Sequence, residues 1–155
     1  MSKSMKRVKA AIAAAGIEAE VVILPDGART AADAARSCDC AVGQIAKSMI
    51  FEGEESGALK LLLVSGAHDV DLTQAKALFG EPLKRADAKR VRAETGFAIG
   101  GVAPLGHLTQ VETWMDRTLM QYDAVWGAAG TPHSVFRVSP EELLRATGAT
   151  LFEMR

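Results

Sequence analysis

Apolar residues near the N-terminus recur at helical spacing. Val8, Ile12 and Ala15 lie three or four residues apart, and Gly16 is a residue type that commonly ends a helix. The same spacing, together with side chains that cap helix N-termini, predicts further helices along the chain. These helices cover residues 31–35, 72–79, 88–94, 117–126 and 140–147.

The strongest helix start precedes the last of these segments. Ser139 is a good N-cap, Pro140 suits the first helical position, and Glu142 completes a capping box. Gly148 provides the stop. The local sequence alone therefore predicts both ends of this helix.

Two apolar runs predict the central strands. The run over residues 44–52 is followed by a polar hairpin loop over 52–57, and the returning strand over 59–65 contains LKLLLV, which is typical of a strand covered on both faces. Shorter strands are predicted over residues 20–24, 111–115 and 135–138. Helices and strands interleave without a regular β-α-β repeat, which predicts an α+β fold around a mixed or mostly antiparallel sheet.

One lysine lies inside the first apolar run. As a strand, residues 44–52 place Ile45, Lys47, Met49 and Phe51 on one face, because successive side chains alternate between faces. A lysine is rarely buried without a partner. Lys47 is therefore either a strand-end lysine whose stem packs while its ammonium reaches water, or a cation that binds an anionic ligand.

Composition narrows the class of protein. The chain has 155 residues without a linker or repeat, which predicts one domain over residues 1–155. The net charge of -1 argues against a protein that coats DNA, but it allows a local basic pocket. No run approaches the ~20 apolar residues of a membrane helix, and the basic N-terminus is interpreted as an amphipathic helix, so no membrane contact is predicted.

The two cysteines, Cys38 and Cys40, are separated by one residue. This spacing fits neither a zinc site nor a disulfide framework, which predicts reduced thiols in a cytoplasmic protein. No metal site and no cofactor are expected.

Two glycine-containing loops are candidates for ligand binding. In GFAIGGVAPLGH, Gly100 and Gly101 allow the backbone to approach a ligand, and Pro104 stiffens the end of the loop. In GAAGTPHS, Gly130 begins a turn that carries His133. Each loop also has a simpler interpretation. The first is a plain turn, and His133 of the second is a solvated histidine.

Taken together and in order, several segments resemble one family. VGQIAKSMIF, LLLVSGAHDVDL, ETGF, GGVAPLGH and GTPHSVFRVSPEELLRATGA are similar to the YbaK/prolyl-tRNA synthetase-associated domains, which are aminoacyl-tRNA editing domains. The resemblance implies a single-domain α+β fold with a curved mixed, mostly antiparallel sheet flanked by helices. It also implies a free-standing deacylase that acts in trans. Its expected substrate is a mischarged tRNA, usually proline tRNA, that carries a small amino acid of the alanine, cysteine or serine class.

The resemblance also implies site residues. The family's lysine corresponds to Lys47 and its G-x-x-x-P loop to residues 100–104. Lys47 would contact the phosphate of the terminal adenosine or the ester oxygen, while Gly100 and Gly101 would present backbone groups to the reacting carbonyl or the α-amino group. The residues expected to bind substrate are Ile45, Met49, Phe51, Pro104, Gly130, Thr131 and His133.

The implied mechanism is metal-free and substrate-assisted, with attack by water or by the neighbouring ribose hydroxyl. The implied partner is the acceptor end of the mischarged tRNA, with a synthetase or an elongation factor as further partners and with no DNA. Two alternatives remain beside the deacylase. One is a non-catalytic module that binds a tRNA acceptor end or a synthetase, and the other is a lysine enzyme that forms a Schiff base.

Overall fold

The computed structural model describes residues 2–154, which fold into a mixed eight-stranded sheet with helices packed against it. The α-helices are α1 (Lys3–Ala14), α2 (Ala31–Cys38), α3 (Ala75–Phe79), α4 (Ala88–Thr95) and α5 (Pro140–Thr147). The strands are β1 (Val21–Ile23), β2 (Ile45–Gly53), β3 (Leu59–Ser65), β4 (Leu83–Arg85), β5 (Glu112–Asp116), β6 (Val125–Ala128), β7 (Ser134–Val138) and β8 (Thr150–Phe152).

The strand order is β1-β7-β6-β2-β3-β5-β8, and β4 is an additional partner of β2. The pairs β1/β7, β6/β7, β2/β3 and β2/β4 are antiparallel, whereas β2/β6, β3/β5 and β5/β8 are parallel. The predicted α+β fold with a mixed sheet is confirmed. In the described part of the chain, no helix is long and apolar enough to cross a membrane.

The two faces of β2 and β3 support separate hydrophobic clusters. Every residue of β3 is buried, as the LKLLLV run predicts. Leu61 and Leu63 pack on one face with α1 and α5, whereas Leu62 and Val64 pack on the other face with Phe79 of α3. Packing on both faces therefore fixes the position of the central strands, including the backbone of β2.

The predicted helix over residues 117–126 is wrong. A 3₁₀ helix covers Arg117–Gln121, capped by Asp116, and the chain is already extended at Tyr122. Val125 and Trp126 then belong to β6 and pair with β7. A β-branched and an aromatic residue favour a strand when a partner strand is present, so sheet pairing overrides the helical spacing.

The other differences concern short elements. Two three-residue strands, β4 and β8, were not predicted, because their sequences are too short to show a period. The predicted helix over 72–79 begins as a 3₁₀ turn over Leu72–Gln74 before α3. The strong signal at residue 139 is confirmed, since the Ser139 hydroxyl accepts a hydrogen bond from the Glu142 amide at 3.2 Å.

Candidate active site

A gap lies along one edge of β2. On this edge β6 pairs with Ile45 and Ala46, and β4 pairs with residues 51–53, while β3 occupies the opposite edge. Among the described strands, none pairs with residues 47–50 on the open edge. The sheet therefore leaves a recess in the middle of its longest strand, at the position of Lys47.

A pocket of about 280 Å³ occupies one end of this recess. Its walls come from the loop that leads into α2, the start of β2, the glycine loop after α4, β6, and the turn between β6 and β7. The walls are mainly apolar. Among the described residues that line the pocket, only Arg29 and Lys47 are charged. Two cations without a carboxylate in the wall favour an anionic ligand.

Lys47 reaches this pocket from β2. Its side chain is 24% exposed, and Nζ donates a hydrogen bond to the carbonyl oxygen of His68 at 2.5 Å. The Asp69 carboxylate lies 3.7 Å from Nζ but is fully exposed, so water screens this pair. An ammonium group has three N–H donors. One is used by His68 within the described residues, which leaves donor capacity for a ligand.

The glycine loop forms a second wall. Gly100 has φ +97°, a left-handed conformation that favours glycine, and its amide has no hydrogen-bond partner among residues 2–154. Gly101 differs, because its amide donates to the Ala98 carbonyl at 2.9 Å. A Cβ on Gly101 would lie 3.0 Å from the Cα of Thr131, so this glycine allows two walls of the pocket to touch.

The structure brings four of the predicted site residues together around this pocket. Ile45, Lys47, Gly100 and Thr131 all line it. Gly130 lies directly behind Thr131 with φ +96°, and the Ser4 hydroxyl donates to its carbonyl oxygen at 2.9 Å. Gly130 therefore shapes the turn from outside the cavity.

The remaining predicted residues lie elsewhere. Met49 and Phe51 border a neighbouring pocket of about 270 Å³, and Phe51 is mainly a core residue. Pro104 packs against Gly127 outside the Lys47 pocket. His133 is exposed and packs against Gly27, where a Cβ would come within 2.6 Å of its Nδ1. The alternation of side chains along β2 does not predict that Ile45 and Lys47 line one pocket while Met49 and Phe51, on the same face, border another.

Sequence reasoning did not select several residues of the pocket. Arg29 adds the second cation, Val102 and Trp126 add apolar wall, and Ser48 lies between the two pockets. The Ser48 hydroxyl is buried without a hydrogen-bond partner in the described structure. The sequence signals for these residues are weak, because Arg29 lies in a polar loop and the apolar spacing around Trp126 predicts a helix.

The cysteines do not contribute a nucleophile to this site. Cys38 and Cys40 are free, half-buried thiols, and neither lines the pocket. Burial, with a smaller contribution from Cys40, raises the pKa of Cys38 to about 11, so its thiol is protonated at neutral pH. Within residues 2–154, no cluster of three metal-ligating side chains is present.

The chain is similar to known proteins over most of its length. The family model described as "Aminoacyl-tRNA editing domain" matches residues 25–146. EbsC of Enterococcus faecalis, a candidate Cys-tRNA(Pro)/Cys-tRNA(Cys) deacylase, is 27% identical over 81% of this chain and 76% of its own length. The YwhH protein of Bacillus subtilis is 28% identical over 90% of this chain and 88% of its own length.

A solved structure extends the similarity to the whole chain. The crystal structure of a candidate trans-editing enzyme for prolyl-tRNA synthetase has 45% identity, covering 100% of this chain and 98% of its own, with a TM-score of 0.92. These matches confirm the predicted fold class and the predicted family resemblance.

Proposed function

Because the chain belongs to the aminoacyl-tRNA editing domain family, we propose that it is a trans-acting deacylase. It hydrolyses the ester between a small non-cognate amino acid and the terminal ribose of a mischarged tRNA. The observation that carries the proposal is the pocket of about 280 Å³ with Lys47 in its wall and no acidic lining residue among those described.

Lys47 binds the anionic end of the substrate in this proposal. The apolar wall lowers the local dielectric, which strengthens an ion pair between Nζ and a phosphate or a developing oxyanion. The second cation, Arg29, is exposed at the same pocket and suits the entering nucleic-acid backbone. Both contacts lie at the acceptor end of the tRNA.

The reacting carbonyl lies near Gly100. Water forms a bond to the carbonyl carbon and gives up a proton, and the ester bond to the ribose oxygen then breaks. Attack by the neighbouring ribose hydroxyl only moves the acyl group to that oxygen, so on that route water must cleave the new ester in the same way. The ribose oxygen takes a proton as it leaves. The free amide of Gly100 is the backbone donor available for the developing oxyanion, since the Gly101 amide already bonds Ala98.

The names of the relatives point to proline tRNA as the carrier, and one of them names cysteine, a small amino acid, as the acyl group. We therefore propose alanine, cysteine or serine on tRNA(Pro) as the substrate. A single methylene discriminates by only about 10- to 200-fold in a synthetase pocket, which is why a separate editing step is useful. This reaction belongs to translation, so we assign it to the cytoplasm.

The test is a deacylation panel. Purified tRNA(Pro) charged with alanine, cysteine, serine or proline is incubated with the protein, and release of the amino acid is measured over time. We expect hydrolysis of at least one of the first three and protection of the proline ester. Saturable tRNA binding without deacylation of any ester would instead favour the non-catalytic binding module.

A further inference from the structure

An imidazole–carboxylate pair lies directly behind Lys47. The Nδ1 atom of His68 lies 2.9 Å from Oδ2 of Asp116, and the Asp116 side chain is only 2% exposed. The carbonyl oxygen of the same histidine accepts the hydrogen bond from Lys47 Nζ. His68 therefore joins a buried carboxylate, through its ring, to the ammonium of the pocket, through its backbone.

Asp116 is a fixed anchor. It ends β5, and its two oxygens also accept hydrogen bonds from the backbone amides of Ser65 at 3.1 Å and Thr118 at 3.0 Å. Ser65 ends β3, and its hydroxyl donates to the Gly43 carbonyl at 2.8 Å. The carboxylate is thus held by the ends of two paired central strands, so its position is set by the sheet.

The turn that carries His68 is attached on both sides of the histidine, since the Gly66 amide donates to the Ile45 carbonyl at 2.7 Å and Val70 packs against the cluster that contains Phe51 and Phe79. The His68 amide donates to the Ser65 carbonyl at 2.9 Å, and the Ala67 amide donates to the Ser65 hydroxyl at 3.3 Å. Between these attachments, the ring bond to Asp116 is the side-chain hydrogen bond that ties His68 itself to the sheet. Loss of that bond would give the carbonyl that holds Lys47 more freedom to move.

We infer that His68 is a positioning residue for Lys47: Asp116 fixes the imidazole, the imidazole restrains the turn, and the turn carbonyl holds the ammonium in one place at the wall of the pocket. The inference rests on the proposed function of Lys47. A lysine side chain has four flexible carbons and no planar fork, so a fixed acceptor is needed to hold it in one orientation.

The test combines two measurements on His68→Ala, His68→Asn and the control Asp71→Asn. The first is the acylation rate of Lys47 by a limiting N-hydroxysuccinimide ester, read by mass spectrometry against exposed Lys89. The second is kcat and KM for deacylation. In His68→Asn, the asparagine side chain retains a donor at the position of Nδ1. Asp71→Asn is the control, because it keeps the side-chain oxygen that caps the next turn and Asp71 has no contact with Lys47 among the described residues.

We expect His68→Ala to raise acylation of Lys47 about fivefold or more, since it frees an ammonium held by one charge-assisted hydrogen bond. It should change the same kinetic parameter as Lys47→Ala, by about tenfold. His68→Asn should restore both values toward wild type, and Asp71→Asn should leave them unchanged. The acylation measurement does not use tRNA, so it separates this inference from the proposed function.

Unchanged acylation in a folded His68→Ala protein would overturn the inference. If His68→Ala does not fold, His68→Leu decides, because leucine fills the space of the ring without a donor to Asp116: faster acylation of Lys47 supports positioning, and wild-type acylation contradicts it. Altered acylation combined with a Lys47→Ala protein of normal activity would support positioning and reject the proposed function of Lys47.

Discussion

Two lysines lie in the apolar runs of neighbouring strands, and they have different environments. Lys60 of β3 is 5% exposed, and its Nζ lies 2.6 Å from Glu112 and 3.6 Å from Glu81. Lys47 of β2 has a carbonyl as its close partner, and its nearest carboxylate is exposed at 3.7 Å. The protein neutralises Lys60 internally, whereas it leaves Lys47 able to bind an anion. Burial of a cation therefore does not point to a site, whereas an incomplete set of partners beside a pocket supports the site proposed for Lys47.

The largest expected effect comes from removal of the Lys47 ammonium. Lys47→Ala should lower kcat/KM for deacylation by about 10²- to 10³-fold, the magnitude associated with loss of one transition-state contact. Its stability should change by less than about 1 kcal/mol, since the partners are a carbonyl and a screened carboxylate. Single-turnover kinetics and urea denaturation measure the two effects. A folded variant with wild-type kinetics would show that Lys47 has no catalytic role.

The opposite pattern is expected for Lys60. Lys60→Met should destabilise the fold, because it removes the cation that lies 2.6 Å from Glu112 and 3.6 Å from Glu81. The deacylation rate of the folded fraction should stay unchanged, since Lys60 does not line the pocket. Urea denaturation and active-site titration check this pair of outcomes. A variant that kept its stability but lost activity would reverse the assignment of the two lysines.

Gly100 tests the backbone partner proposed for the Lys47 pocket. Gly100→Ala should destabilise the fold by about 1–2 kcal/mol, because alanine is strained at φ +97°. It should also lower deacylation, since strain displaces the free amide. Gly148→Ala is the matched control, with φ +65°, open space at the Cβ position and no part in the pocket. Equal activity in the two variants would remove Gly100 from the mechanism.

The last prediction concerns the acid-pH dependence of stability that arises from Glu81, the partner of Lys60. Hydrogen bonds from Ser56 and Glu55, with the nearby Lys60 ammonium, lower the pKa of Glu81 to about 2 from its ordinary value of 4.5. The unfolded chain therefore binds more protons than the folded chain between these pH values, so stability falls as pH drops through this window. Glu81→Gln should flatten that part of the stability curve. An unchanged acid slope in denaturation experiments would contradict the assignment.

Local signals predicted the fold where they acted within a few residues. The cap at Ser139 and the stop at Gly148 bound α5 as expected, because both act on the nearest backbone groups. The same kind of signal gave a wrong prediction for residues 117–126. Their apolar spacing suits a helix, but β7 provides a partner strand for the end of the segment. Such a partner is a property of the tertiary structure.

The candidate site shows the same division. Ile45, Lys47, Gly100 and Thr131 were selected from the sequence and meet at one pocket, although they come from three separate segments. Arg29 could not be selected in this way, because nothing in its local sequence relates it to the lysine. The distance between such residues depends on how the chain folds. Periodicity in the sequence reports only neighbouring residues, so it does not predict this distance.

The sequence by itself determined the parity of β2, the burial of β3 and the ends of several helices, because side-chain alternation and capping act over neighbouring residues. It also identified the family through an ordered set of motifs. Only the tertiary structure decided that Lys60 meets Glu112, 52 positions along the chain, while Lys47 faces a gap between β6 and β4. The physical reason is that a charge is satisfied by whatever the fold brings within hydrogen-bond distance.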